Sequence, residues 1–299
     1  MIEPPPERTL GHTTVLFGEN GGKYPQGNSI VVAGTEESLI LDPSLGMIPR
    51  REQLPPVDRV VNSHSHEDHF AGNHLFPGVP WHIHELDALG LRSLEDMMTV
   101  YGYDEAAERY MRRALVEEYH YAPRPDALTF SDGHVFDLGG VRMTAIHTPG
   151  HTRGHTCFRI EPDDVLCLGD IDLSSFGPYY GDAWSSLEDF EKTLDVVRRI
   201  EARWYATFHH IGIVEGREAF LERLDRFAAV IAKRESRLLE FLRQPRTIEE
   251  IVGHRFVYRP QDAVPFADPV EKRSMGFHLE RLAREGRARE IEPGRWLAD

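Results

Sequence analysis

Four short apolar runs in this chain lead into histidine or aspartate, and this pattern restricts the fold more than any other feature. The runs are "VDRVVN" (57–62), "VRMTAIH" (141–147), "DVLCLGD" (164–170) and "RWYATF" (203–208), and the polar groups at their ends are His64–His69, "TPGHTRGH", Asp170 and His209-His210. Runs rich in Val, Ile, Thr and aromatic residues, bounded by Gly, Pro and Asn, predict strands. Loops at the same ends of neighbouring strands converge, so we expect the four groups to form one site.

The side chains in these groups suit a metal ion. Neutral imidazole and carboxylate are preferred ligands of Zn²⁺ and similar divalent cations. His64 and His66 are separated by one residue and can both face a metal from an extended loop, while Asp68 and His69 can turn toward a second position as a helix begins. A single histidine after a strand is usually an ordinary polar residue, but four such clusters in one chain favour a metal site.

The rest of the first two thirds of the chain predicts more strands and two helical stretches. The further strands are residues 12–18, 28–34, 38–44, 79–84, 134–139 and 156–161. Residues 86–121 are rich in Leu, Met, Ala, Glu and Arg and predict a helical insertion between strands. Ser185 with Glu188 has the pattern of a capping box, which predicts a helix from there to about Arg199.

From Arg217 the sequence becomes helical. One long amphipathic helix is predicted by an apolar stripe that consists of Phe220, Leu224, Phe227, Ile231, Leu238 and Leu242. A capping box of Thr247 and Glu250 predicts a second helix, residues 270–285 a third, and residues 287–298 a hairpin. Three helices followed by a hairpin have the outline of a winged helix. We therefore expect two domains, residues 1–216 and residues 217–299.

The composition and the net charge disfavour some classes of binding partner. The net charge is −15, and it is uneven: residues 1–217 carry 18 Lys and Arg against 34 Asp and Glu. An acidic body repels phosphate backbones, so nucleic acid is disfavoured as a partner. No apolar run is long enough for a membrane span, and the first residues lack signal-peptide features. With only Cys157 and Cys167, which we expect to be buried thiols, we predict a cytoplasmic protein.

The combination of motifs resembles the metallo-β-lactamase superfamily. The stretch His64-Ser-His-Glu-Asp-His69 matches the superfamily signature H-x-H-x-D-H, and "TPGHTRGH", "LGD" and the strand before His209 follow in the expected order. The resemblance spans about residues 10–215. It implies an α/β fold, a four-layer αβ/βα sandwich. The helical C-terminal part resembles a branch that includes the β-lactamase-like protein 2 and glyoxalase-II-like proteins.

This resemblance also implies a role for each motif residue. His64, His66 and His151 would hold one of two divalent metal ions, Asp68, His69 and His209 the other, and Asp170 would bridge them. His210 is an alternative to His209, which we prefer, because Thr207-Phe208 replaces the usual Pro-Gly before the last ligand. Zn²⁺ is the first choice of metal, with Fe or Mn as alternatives. Glu67 is interpreted as an exposed spacer.

The residues near the motifs carry further expectations. Asp42 is expected to support the site from behind, and His155 to orient the "TPGH" loop. His82 and His84 are two residues apart in a predicted strand, so their side chains lie on the same face. We interpret both as structural. The stretch "FGPYYGDAW" (176–184) is expected to form a lid over the cleft, in which the proposed substrate-contacting side chains are Tyr179, Tyr180 and Trp184.

Three functions are compatible with these motifs. The first is a dinuclear hydrolase, in which a metal-bridging hydroxide attacks the carbonyl of a small ester, thioester or lactone and Asp68 orients it and moves a proton. The alternative is a metal-dependent nuclease or phosphodiesterase that acts on RNA or DNA. The third, a ligand sensor without catalysis, is disfavoured by an intact ligand set. We expect the C-terminal unit to cap the cleft or to form a homodimer contact.

Overall fold

The structure is a computed structural model, and it describes residues 6–299. Residues 1–5, which include part of the N-terminal stretch without signal-peptide features, lie outside the described residues. Within the described range, the strands form two large sheets and one small sheet. No helix in this range is both long enough and apolar enough to cross a membrane.

The first sheet has seven strands in sequence order. They are β1 (Glu7–Leu10), β2 (Thr13–Leu16), β3 (Ser29–Ala33), β4 (Ser38–Leu41), β5 (Arg59–Asn62), β6 (Trp81–His84) and β7 (Leu128–Phe130). Strands β1 to β4 pair antiparallel, and β4 to β7 pair parallel. Because β4 and β5 are parallel neighbours, the loops that follow them emerge at the same edge of the sheet, which is the edge that carries His64–His69.

The second sheet has six strands in the order β13-β12-β11-β10-β9-β8. The strands are β8 (Val135–Asp137), β9 (Arg142–His147), β10 (Thr156–Glu161), β11 (Val165–Cys167), β12 (Trp204–Ala206) and β13 (Ile213–Glu215). Only β11 and β12 are parallel in this sheet. Asp170 and His209 follow the ends of these two neighbouring strands, so both lie at the same edge of the sheet.

The two large sheets face each other across a shared apolar core. Side chains of one sheet, such as Leu39 and Val61, belong to the same buried cluster as Phe158 and Ile160 of the other. Successive residues of a strand point to opposite faces, and here both faces are covered. Val60, for example, belongs to a different buried cluster on the outer face of the first sheet. This explains why these strands are continuous apolar runs instead of alternating ones.

The helices lie between and after the strands of the two large sheets. They are α1 (Glu19–Gly22), α2 (Glu67–Phe70), α3 (Ala88–Arg92), α4 (Leu94–Tyr101), α5 (Glu105–Glu117), α6 (Leu187–Arg199), α7 (Arg217–Phe241), α8 (Ile248–His254) and α9 (Ala267–Arg284), with 3₁₀ turns at Leu45–Arg50 and Asn73–Leu75. The helical stretch predicted for residues 86–121 contains α3, α4 and α5. Helices α6 and α7 pack on the second sheet through side chains such as Phe190 and Phe220.

The C-terminal residues also have a core of their own. It joins the end of α7 to α8, α9 and β15 (Ala288–Glu292) through residues such as Leu238, Ile251 and Leu279. The strands β14 (Arg246–Thr247) and β16 (Arg295–Ala298) complete a three-stranded sheet in the order β14-β16-β15. The predicted capping box of Thr247 and Glu250 is present.

Two details differ from the sequence prediction. The short strands β1, β7, β13 and β14 were not predicted, because two to four residues carry too little periodicity to be recognised. The cap of α6 is also one residue further along, since Ser186 accepts a hydrogen bond from the amide of Asp189. Ser185 instead donates to the carbonyl of His151, and so it ties this helix end to a motif loop.

His82 and His84 on β6 provide a pH-dependent contribution to stability. Burial, and to a smaller extent Arg59, lowers the pKa of His82 to about 4, and burial together with His147 lowers the pKa of His84 to about 4. An imidazole in an unfolded chain titrates near 6.5, so between about pH 6.5 and 4 the unfolded state binds more protons. The stabilisation from neutral His82 and His84 is therefore present above this window and is lost as the pH falls through it.

We predict that His82→Leu reduces the acid sensitivity of the fold. The free energy of unfolding of the unmodified protein should drop between about pH 7.5 and pH 5, and the drop should be smaller in His82→Leu by on the order of 1 kcal/mol. Urea titrations at the two pH values measure both differences. An equal drop in the two proteins would show that His82 does not resist protonation in the fold.

Candidate metal centre

The loop between β5 and α2, together with α2 itself, carries His64, His66, Asp68 and His69. Asp42, which directly follows β4, has a φ of 49° and accepts a hydrogen bond of 2.7 Å from the amide of Ser63. His66 is the N-cap residue of α2, and Glu67 and Asp68 occupy its first turn. All residues from Ser63 to His69 are buried. A stretch that contains three histidines and two carboxylates therefore lies inside the protein, where charges need partners.

The first group of potential ligands consists of His64, His66, His151 and Asp170. Each offers one nitrogen or oxygen atom, and these atoms lie within 4.8 Å of one another. The Nε2 atoms of His64 and His151 are 3.1 Å apart, and Nε2 of His151 is 3.2 Å from Oδ2 of Asp170. Three of the four residues are from the β5 and β9 loops, and Asp170 follows β11.

The second group consists of Asp68, His69 and His209, again with ligand atoms within 4.8 Å of one another. Nε2 of His209 is 3.0 Å from Oδ2 of Asp68, and Nε2 of His69 is 2.9 Å from Oδ1 of Asp170. Asp170 thus directs one carboxylate oxygen toward each group. The two groups are neighbours with a shared carboxylate between them.

Several atoms in the two groups lack an oriented hydrogen-bond partner among residues 6–299. These buried atoms include Oδ2 of Asp68, Nε2 of His69 and Oδ1 of Asp170. Some of them lie close to an atom of opposite character, but the angles are not those of a hydrogen bond. Buried polar atoms without partners are rare and often indicate an ion or water site. Imidazole and carboxylate atoms in this state fit a divalent cation.

The pKa values of two histidines also indicate that the site stabilises cations. Burial lowers the pKa of a histidine, but the carboxylate of Asp182, 2.9 Å away, outweighs it and raises the pKa of His66 to about 9. Asp170 and Asp68 likewise outweigh burial and raise the pKa of His209 to about 9. The carboxylates therefore stabilise positive charge at this place, which protons or metal ions can supply.

Two of the supporting roles predicted from the sequence are seen in the geometry. Oδ2 of Asp42 is 3.0 Å from Nδ1 of His69, on the side of the ring away from the ligand groups. His155 contacts the carbonyl of Thr148 through Nδ1 and accepts a 3.1 Å hydrogen bond from the amide of Asp170 at Nε2. An added Cβ on Gly169 would lie 2.5 Å from this Nε2, so glycine permits the approach.

The two alternatives for the last ligand have different surroundings. His209 lies within the second group, and its Nδ1 contacts the carbonyl of Gly22 at 2.8 Å. His210 lies outside both groups, and its nearest carboxylate is Asp172, at 4.0 Å. Phe208, in place of the usual glycine, stacks on His69 with ring centroids 3.6 Å apart.

Glu67 is not the exposed spacer that we expected from the sequence. It is 4% exposed, and its carboxylate accepts hydrogen bonds from the hydroxyls of Tyr24, at 2.8 Å, and Tyr101. Tyr119 in turn donates to the hydroxyl of Tyr24 at 2.8 Å. The ring of Tyr101 stacks on His66 at a centroid distance of 5.7 Å. These tyrosines are spread over residues 24–119, so no local pattern indicated their association with Glu67.

The three expected lid residues have different surroundings. Tyr179 lies beside the site, with its ring 5.6 Å from that of His151 and its hydroxyl 3.1 Å from Asp182. Trp184 is half-buried under the guanidinium of Arg153. Tyr180 is completely buried, so its assignment as a substrate-contacting residue was wrong. Its hydroxyl lies 3.0 Å from Nε2 of His278, so Tyr180 packs toward the C-terminal helices.

Asp87 is a buried support that the sequence analysis missed. Its carboxylate accepts hydrogen bonds from the amide of Ser65 at 3.1 Å, the hydroxyl of Thr152 at 2.7 Å and the amide of Gly154 at 2.6 Å. It therefore joins the loop after β5 to the loop after β9. In the sequence "HELDAL", Asp87 follows a predicted strand, and no sequence feature distinguishes it from an ordinary N-cap residue of a helix.

We predict that Asp87→Ala strongly destabilises the protein. Three buried donors would lose their acceptor, at about 1–3 kcal/mol each, so the free energy of unfolding should fall by about 3 kcal/mol or more. Urea denaturation measures this change. Asp126→Ala, which removes an exposed carboxylate paired with Arg124, is the control and should change stability by less than about 0.5 kcal/mol. Equal effects of the two substitutions would contradict a bridging role for Asp87.

Comparison with known proteins identifies the class to which this fold and site belong. The sequence model of the metallo-β-lactamase superfamily matches residues 22–231. A metallo-β-lactamase family protein from Thermus thermophilus has the same fold, with a TM-score of 0.72, 24% identity, and coverage of 96% of this chain and 99% of that one. This chain therefore belongs to the metallo-β-lactamase superfamily, and the predicted α/β sandwich is confirmed.

Several curated relatives are named as thioesterases. An atrochrysone carboxyl ACP thioesterase of Aspergillus fumigatus is 27% identical over 63% of this chain and 51% of its own length. The acyl-coenzyme A thioesterase MBLAC2 of Homo sapiens is 26% identical over 52% of this chain and 60% of its own length. The chain thus spans half to three fifths of the length of these relatives. Their names and the superfamily support a hydrolase.

Proposed function

We propose that this protein is a dinuclear metal-dependent hydrolase that cleaves small thioesters. The observation that carries the dinuclear assignment is the position of Asp170, with Oδ2 3.2 Å from Nε2 of His151 and Oδ1 2.9 Å from Nε2 of His69. A carboxylate with one oxygen toward each ligand group is suited to bridge two cations. Zn²⁺ fits the imidazole-rich donor set best, and Fe and Mn remain alternatives.

The ligand assignment follows the two groups. His64, His66 and His151 would hold one cation, Asp68, His69 and His209 the other, and Asp170 would contact both. When bound, two such cations would polarise a carbonyl oxygen and bring the pKa of water toward neutrality. The distances between the protein atoms support this set.

The side chains around the ligands have defined tasks in this proposal. Asp68 has an oxygen without an oriented hydrogen bond, and it would orient water and accept its proton during attack on the carbonyl. Asp42 and the carbonyl of Gly22 hold the rings of His69 and His209. The stack of Tyr101 on His66 and the ring of Tyr179 limit the entry of bulk water on the opposite side.

The surroundings of the site favour a substrate without phosphate in the reacting group. Five buried or nearly buried carboxylates surround the site, and they belong to Asp42, Glu67, Asp68, Asp170 and Asp182. The acidic charge of residues 1–217 as a whole, with 18 Lys and Arg against 34 Asp and Glu, disfavours a long polyanionic backbone. The thioesterase names of the relatives support the choice of thioesters over other carbonyl substrates.

The C-terminal helices further disfavour the nuclease alternative. We propose that residues 217–299 form a winged-helix-like unit beside a catalytic unit of residues 1–216. In such a unit α9 would be the helix that reads a nucleic-acid groove. Here α9 packs against the proposed catalytic unit instead. His278 contacts Tyr180, and Arg281 pairs with Glu191 of α6. A helix buried in this way is better suited to support the catalytic part than to bind DNA or RNA.

A substrate panel tests the proposed activity. The protein is stripped of metal with a chelator and reconstituted with zero, one or two equivalents of Zn²⁺. We expect hydrolysis of acyl-coenzyme A thioesters to require metal, to be highest with two equivalents, and to exceed hydrolysis of a lactone, a β-lactam and bis-p-nitrophenyl phosphate. Faster cleavage of the phosphodiester, or cleavage that survives metal removal, would contradict the proposal.

Substitutions test the individual ligands. We expect His64→Ala and His209→Ala to lower the metal content measured by elemental analysis, whereas His210→Ala should retain two metals. Asp68→Ala should keep the fold, as judged by circular dichroism, and lower kcat by at least about 100-fold. If His210→Ala lost metal and His209→Ala did not, the assignment of the last ligand would be reversed.

A further inference from the structure

The ligand histidines of the second group are held from behind by the N-terminal part of the chain. Nδ1 of His69 lies 3.0 Å from Asp42, which follows β4. Nδ1 of His209 lies 2.8 Å from the carbonyl of Gly22, at the end of α1. Such outer contacts fix the tautomer and the ring orientation of a metal-binding histidine.

Two histidines of the first group depend on a different part of the chain. Nδ1 of His151 lies 3.0 Å from the carbonyl of Tyr179, and Nε2 of His66 lies 2.9 Å from Oδ2 of Asp182. Both outer partners belong to residues 176–182, which we call the strap. Asp182 is itself held by the hydroxyl of Tyr179, and its side chain is 1% exposed. The outer contacts of His66 and His151 thus come from one short segment without regular secondary structure.

The strap is held in place by a buried arginine of α7. Arg234 is 2% exposed, and its guanidinium donates to the carbonyl of Pro178 at 2.5 Å and to the carbonyl of Phe176 at 2.8 Å. The same guanidinium lies 5.3 Å from the ring centroid of Tyr180. A planar group with several donors can hold two carbonyls at once, which a single-point cation cannot do as well.

The strap also packs against α7 and α9 too closely for side chains at two positions. An added Cβ on Gly177 would lie 2.5 Å from Val230 of α7, and one on Gly181 would lie 2.4 Å from Val270 of α9. Tyr180 adds a contact between its hydroxyl and Nε2 of His278 at 3.0 Å. The backbone of the strap therefore has little freedom to move independently of the two helices.

We propose that Arg234 and Asp182 are positioning residues for the metal position formed by His64, His66 and His151. Through the strap, the C-terminal helices control the affinity of this one position, while the position formed by Asp68, His69 and His209 is held independently of them. The inference rests on the proposed dinuclear site. It gives residues 217–299 a task in metal binding, beyond covering apolar surface.

The physical basis is the loss of a fixed imidazole orientation. If Arg234 no longer binds the two carbonyls, the strap can shift, and the partners of His66 and His151 move with it. Substitution of such outer partners weakens metal binding by about 10- to 100-fold. Because Asp42 and Gly22 lie on other segments, the second position should keep its affinity.

The test is a metal titration of the full-length protein with Co²⁺, followed by calorimetry and by the visible absorption of the bound ion. The unmodified protein should bind two ions. Arg234→Met should bind one ion with unchanged affinity and the other about 10- to 100-fold more weakly. Arg226→Met removes an exposed arginine of the same helix, which among residues 6–299 pairs with Glu222 alone, and should match the unmodified protein.

Two further variants separate positioning from general stability. Arg234→Lys keeps a buried cation and should recover part of the lost affinity. Asp182→Asn leaves the contacts of Arg234 in place and removes the charge beside His66, so it should weaken the same ion as Arg234→Met does. Asp42→Asn should weaken the other ion instead. If Arg234→Met does not fold by circular dichroism, the comparison of Asp182→Asn with Asp42→Asn decides the matter.

The possible outcomes separate this inference from the proposed function. Failure of the unmodified protein to bind two ions would overturn the dinuclear assignment itself. Two ions in the unmodified protein, with the same two affinities in Arg234→Met and Asp182→Asn, would overturn the positioning role alone. Equal weakening of both ions in those variants would overturn the division between the strap and the N-terminal supports.

Discussion

The structure depends on the burial of several carboxylates beside several imidazoles at one edge of two facing sheets. A buried charge without a partner is very unfavourable, so the groups must be arranged to compensate one another or to bind cations. Asp170 at the centre contacts histidines from both ligand groups, and the rings of His69, His151 and His209 each have a polar partner at Nδ1. The fold around them supplies the rigid supports that keep such a concentration of charge in place.

Those supports come from all parts of the chain. Asp42 follows β4, Asp87 follows β6 and joins two motif loops, and His155 orients the amide of Asp170. The strap adds the partners of His66 and His151, and its position depends on α7 and α9. The strap therefore connects α7 and α9 to the ligand groups by polar contacts, in addition to the apolar contacts of these helices.

Much of the fold could be predicted from the sequence because its signals are local. Apolar runs such as residues 57–62 are strands since both of their faces are covered, and the Thr247 cap begins α8 as its capping box indicates. The prediction failed where the signal was too short, as for β13, or where it was shared by neighbours, as for Ser185 and Ser186. Tyr180 was misassigned because an aromatic residue in a loop looks the same whether it faces a cleft or a helix.

The sequence by itself determined which residues can bind metal and at which strand ends they lie, because motif spacing and strand propensity are properties of short stretches of chain. The tertiary structure decided what surrounds those residues. Glu67 became a buried acceptor of two tyrosine hydroxyls, Asp87 a link between loops, and Arg234 the anchor of the strap. Each of these contacts joins residues far apart in the chain, and only the packing of distant segments brings such groups within hydrogen-bond distance.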